Sequence, residues 1–66
     1  MKAYFTGGEL SGMTLDVADP SPQFYRNLVI YEGDKYIELY KRLDFVHPAN
    51  PHVVFSREYV FVRYES

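Results

Sequence analysis

Two β-favouring runs, residues 24–31 and 35–43, flank Glu32-Gly33-Asp34, and this reversal constrains the fold more than any other stretch of the chain. Gly33 can take the first central position of a type II′ turn, with Asp34 as the second. Ile30 is then expected opposite Ile37, Leu28 opposite Leu39, and Phe24 opposite Leu43. The other face sets Tyr31 against Tyr36, Val29 against Glu38, Asn27 against Tyr40, and Tyr25 against Arg42. One side is aliphatic and the other amphipathic, as a half-buried antiparallel sheet requires. Arg26 opposite Lys41 interrupts the aliphatic side and would need both stems to snorkel. A rival reading makes residues 36–46 helical, because Tyr36, Leu39, Tyr40 and Leu43 also fit helical spacing; the fold would then be α+β.

The rest of the chain extends the strand pattern. Ala3 to Thr6 is a short β-favouring run. Met13, Leu15 and Val17 alternate with Thr14 and Asp16. Gly7-Gly8-Glu9-Leu10-Ser11-Gly12 joins the two runs, so a first hairpin is expected. Asp19-Pro20-Ser21-Pro22 reads as a connector, since its prolines remove ladder donors and disfavour helix before them. His47-Pro48-Ala49-Asn50-Pro51 reads as a loop. His52 to Glu65 is rich in Val, Phe and Tyr and forms one strand, or two if Ser56-Arg57-Glu58 turns. Phe55-Ser56-Arg57-Glu58-Tyr59-Val60 resembles the short helical turn before the last strand of Src-homology-type barrels. The expected fold is all-β, a single domain over residues 1–66, arranged as a small antiparallel meander or partly open barrel of five to six short strands.

Size sharpens what that fold must achieve. A chain of 66 residues buries only about 60% of the surface exposed by its unfolded form. Without cysteines, neither disulfides nor thiolate metal sites can compensate, which leaves a good core, a partner, or both. Seven tyrosines and five phenylalanines supply the apolar bulk and favour strands. The net charge of −2 lacks the basic stripe of a general nucleic-acid binder. No apolar run is long enough for a membrane span or a secretory signal, so a cytoplasmic location is expected.

Tyr4-Phe5-Thr6-Gly7-Gly8-Glu9-Leu10-Ser11-Gly12-Met13-Thr14-Leu15 resembles the opening of small uncharacterised proteins of actinobacteria and their phages. Those proteins begin with an aromatic strand, a Gly-Gly-Pro-x-Asp-Gly turn and a second strand. Gly7, Gly8 and Gly12 match, whereas Glu9 and Ser11 replace the common proline and aspartate. The resemblance covers roughly the first third of the chain. It implies a compact β protein, phage-encoded and acting in the host cytoplasm, and it supplies no activity.

No constellation in the sequence meets the requirements of catalysis or cofactor binding. Gly7-Gly8 and Gly12 are not followed by the Lys and Ser/Thr of a phosphate loop. His47 and His52, even with Asp44, fall short of a metal-ligand set and read as solvated loop histidines. The serines lie in turns or at the terminus without a nucleophile elbow. The acid pairs Asp16/Asp19 and Glu32/Asp34 sit at turn edges, where acids serve turn geometry. No catalytic, cofactor or metal residue is therefore expected. The tyrosines stand out instead. Tyr25, Tyr31, Tyr36 and Tyr40 share one face of the central hairpin with Arg42, and Tyr and Arg are enriched where proteins bind each other. Either this face is core with hydroxyls reaching water, or it is an exposed surface for a protein partner or a homodimer. The corresponding function is a non-catalytic interaction module, a phage accessory protein binding a host or phage protein or itself. The alternative is a small barrel that stacks single-stranded nucleic acid on Tyr and Arg, against which the acidic balance argues.

Overall fold

A computed structural model describes residues 1–65, excluding the side chains of residues 46, 47 and 51–55. Five strands follow in order: β1 (Lys2–Thr6), β2 (Thr14–Asp16), β3 (Phe24–Tyr31), β4 (Asp34–His47) and β5 (Asn50–Glu65). They form one curled sheet of order β2-β1-β5-β4-β3, a half-barrel without helix among the described residues. The all-β expectation holds, and the helical alternative for 36–46 is overturned because those residues belong to β4. β1 pairs with β5 in parallel, so the sheet is mixed and not a pure meander. The last two strands are long, 14 and 16 residues, and give the molecule its 48 Å extent. Residues 56–60 continue β5, so neither a turn at Ser56-Arg57-Glu58 nor the Src-homology-like helical turn forms. The expected loop at 47–51 shrinks to a reversal at Pro48-Ala49, with His47 opposite Asn50. The side chains of His47 and His52, expected as solvated loop histidines, lie outside the described residues.

The central hairpin forms with a turn different from the one its sequence suggested. Glu32 and Gly33 both have positive φ, 50° and 83°, and they occupy the two central positions between paired Tyr31 and Asp34. This is the backbone sign of a type I′ turn, whose twist suits the flanking strands. Leu28 consequently faces Ile37, and Leu39 faces Arg26. The expected register is off by two residues. A shift of two leaves every side chain on its own face, since strands repeat with a period of two.

The burial of the two faces is the opposite of what an aliphatic core implies. The sheet curls with the phenols inside. Phe5, Tyr40 and Tyr59 are fully buried together with Ala3, and Leu10, Leu15, Val17, Tyr25 and Phe61 pack around them. The Phe5 ring stacks on Tyr59 at 5.2 Å and meets Tyr25 and Tyr40 edge-on at 5.0 and 5.3 Å. Leu28 and Ile30 lie on the outer face, 58% and 65% exposed, so the aliphatic side of the hairpin turns towards solvent there. Leu39 is buried on that outer face, flanked in register by Arg26 and Arg63. The reason is reach: a half-barrel leaves a wide interior, and rings cross it where aliphatic side chains from one sheet would leave voids.

Candidate functional site

The inner face divides into three regions along β4. In the middle stand Glu38 and Tyr40, both buried. The Glu38 carboxylate accepts the backbone N–H of Glu9 on both oxygens, at 3.1 and 2.9 Å, and the Asn27 amide at 3.2 Å. The Tyr40 hydroxyl accepts the Leu10 N–H at 3.2 Å. Its single proton goes to Glu38 Oε1 at 2.8 Å, which is nearer and charged, in preference to the Gly7 carbonyl at 3.1 Å. Together they hold the β1–β2 loop against the sheet. Gly8 permits that approach: its φ is +63°, and a β-carbon there would meet the Glu38 carboxylate at 2.6 Å and the Tyr40 hydroxyl still closer.

This arrangement explains the protonation of both groups. Burial pushes the Glu38 carboxyl up, but hydrogen bonds from Glu9, Tyr40, Asn27 and Tyr64 outweigh it and hold the group below its ordinary value. Burial raises Tyr40 to about 12, reinforced by the neighbouring Glu38 charge although Leu10 N–H opposes it. Burial also raises Tyr59, partly offset by Arg42 and Arg57. The folded pKa of Tyr40 lies above its unfolded value, so its contribution is complete below about pH 10 and disappears as pH climbs towards 12. Glu38 has a lowered folded pKa, and its contribution is complete above about pH 5 and fades in acid as that pKa is crossed. Tyrosinate absorbance should therefore show a late-ionising class that contains Tyr40 and Tyr59, and Tyr40→Phe should remove one phenol from it. Ionisation of Tyr40 in the ordinary tyrosine range, with the fold intact, would contradict this account.

Towards the β4–β5 turn lies a charged cluster. Asp44 receives Arg57 Nε at 2.6 Å and faces Arg42 Nε at 3.5 Å. Arg42 also donates to the Ser21 carbonyl at 2.5 Å, Arg57 donates to the Ser21 hydroxyl, and Tyr59 donates to the Pro22 carbonyl at 2.6 Å. The proline connector is thus tied down to the sheet. Both guanidiniums face inwards to this task.

Towards the β3–β4 turn the phenol row opens to solvent. Val29, Tyr31, Tyr36 and Tyr64 line an apolar recess of about 430 Å³. Tyr36 and Tyr64 meet edge-on at 6.2 Å, and Tyr64 also contacts Phe61 at 5.0 Å. Tyr31, Tyr36 and Tyr64 keep 64%, 40% and 58% of their surface exposed.

The five residues expected to form one contact face are therefore separated. Tyr31 and Tyr36 meet at the recess. Tyr25 packs against Phe5, Tyr40 is buried, and Arg42 is bound to the connector. Arg42 stands six residues along β4 from Tyr36, roughly 20 Å away. Tyr64 and the Glu38 network were not anticipated. Glu38 was legible on the phenol face by alternation, but Tyr64 was not. Leu39 pairs with Arg63 and Tyr40 with Phe61, which leaves Val62 as an extra residue and brings Phe61 and Tyr64 to the same side. Among the described residues no group of three His, Asp or Glu could hold a metal ion. Among the described residues no helix is long and apolar enough to cross a membrane. Compared with protein families, curated proteins and solved structures, the chain matches none.

Proposed function

We propose that the chain is a non-catalytic protein-interaction module whose open end receives an apolar side chain of a protein partner between Tyr31, Tyr36 and Tyr64. The observation that carries this reading is the position of the recess. It lies beyond a core already filled by Phe5, Tyr40 and Tyr59, so its exposed rings are not needed to complete the interior. Tyrosine suits such a site, because it offers a large amphipathic surface with few rotatable bonds to order. Nucleic-acid stacking draws less support, since Arg42 and Arg57 are engaged by Asp44 and Ser21.

Peptides selected by display on the wild-type protein provide the test. Tyr36→Ala should weaken them by roughly thirty-fold, the loss of about 2 kcal/mol typical of an interface hot spot, while thermal unfolding stays cooperative. Equal affinity for the variant, or no enriched peptide, would refute the recess as the site. Single-stranded DNA binding that falls steeply with salt would replace the reading altogether.

A further inference from the structure

The outer edge of the sheet at β3 has a separate property. In an antiparallel ladder, alternate residues direct both backbone groups to the same neighbour. The Gln23 carbonyl accepts the Arg42 N–H at 3.0 Å, so the odd-numbered positions of β3 address β4. Phe24, Arg26, Leu28 and Ile30 therefore turn their N–H and C=O groups to the free edge. Proteins usually blunt such an edge with proline, lysine, a bulge or a very short strand. β3 has none of these: it runs eight residues in unbroken register, and its one charge, Arg26, is paired with Glu65 at 2.9 Å. The opposite edge, β2, is only three residues long.

We propose that this edge joins a second copy of the chain, β3 to β3 and antiparallel, in a two-fold dimer with one continuous ten-stranded sheet. Self-complementarity selects the occupant. With the axis at Asn27, Phe24 lies opposite Ile30 of the second copy and Arg26 opposite Leu28. All four outward-turned residues of each chain then find partners. An axis at Arg26 would set two guanidiniums against each other, which is destabilising. An axis at Leu28 would leave Phe24 opposite the Glu32 turn residue. The small interior adds a motive, for the fully buried apolar residues among those described are Ala3, Phe5, Leu39, Tyr40 and Tyr59, and domains of this size commonly gain stability by association. The dimer does not depend on the recess being a binding site.

Sedimentation of the full chain over a concentration series tests this pairing. Wild type should be dimeric. Leu28→Lys alters an exposed side chain and sets lysine opposite Arg26 twice per interface, so it should dissociate at least tenfold more readily with an unchanged circular dichroism spectrum. In a second experiment, Asn27→Cys introduces the only thiol at the two-fold axis. Cα atoms about 4.5 Å apart across such a pair suit a disulfide, so oxidation should yield a covalent dimer, whereas Ser11→Cys in the β1–β2 loop should not. A monomer throughout, a Leu28→Lys dimer as tight as wild type, or no selective crosslink at position 27 would each overturn the pairing. A wild-type chain that stays monomeric while it binds the selected peptides would refute this proposal alone.

Discussion

Phe5→Ala is expected to destabilise the fold by about 3–5 kcal/mol, the cost of emptying a buried aromatic site, and to leave little cooperative unfolding to observe. A chain of this length has roughly 3–10 kcal/mol to lose. Phe5 touches Tyr25, Tyr40 and Tyr59 at once, and the parallel β1–β5 pairing is what brings it there. The contrast is Leu28→Ala, which changes an outer-face residue and should alter monomer stability by no more than about 0.5 kcal/mol. Urea unfolding of both variants at dilute concentration checks the pair. Equal losses would mean that the phenol face is not the core.

Gly8→Ala is the second large effect, expected at about 2–5 kcal/mol. A left-handed backbone costs a residue with a β-carbon roughly 1–2 kcal/mol. Moving the loop away to relieve contact with Glu38 and Tyr40 would strip the carboxylate of the Glu9 N–H, and an unsatisfied buried polar group costs about 1–3 kcal/mol. The substitution should also let Tyr40 ionise closer to the ordinary tyrosine range. Gly12→Ala is the comparison: its φ is likewise positive, but nothing lies within 4 Å of a β-carbon there, so only the backbone cost should appear. Unfolding free energies and tyrosinate titration of the two variants separate conformational strain from lost docking. Equal losses would show that the close approach at Gly8 carries no energy of its own.

The candidate site was half legible. Tyr31 and Tyr36 could be placed together because both flank the Glu32-Gly33 reversal, and a hairpin turn is a local matter of φ. Tyr25 and Tyr40 carry the same alternation signal yet are core, because Phe5 reaches them from β1 at a separation of many residues. Tyr64 joins the recess only through the extra residue at Val62, which no Gly or Pro announces. Glu38 was visible on the phenol face, but its partner, the N–H of Glu9, is a backbone group that no side-chain pattern reveals.

What the chain's own order of residues determined is an all-strand ribbon with aliphatic side chains on one side and phenols on the other. That sorting follows from a period of two and survives a register shift of two. Which side became the interior was decided by the tertiary structure. Curling, the parallel union of β1 with β5 and the bulge near Val62 all depend on contacts between distant segments, and local propensity carries no information about them.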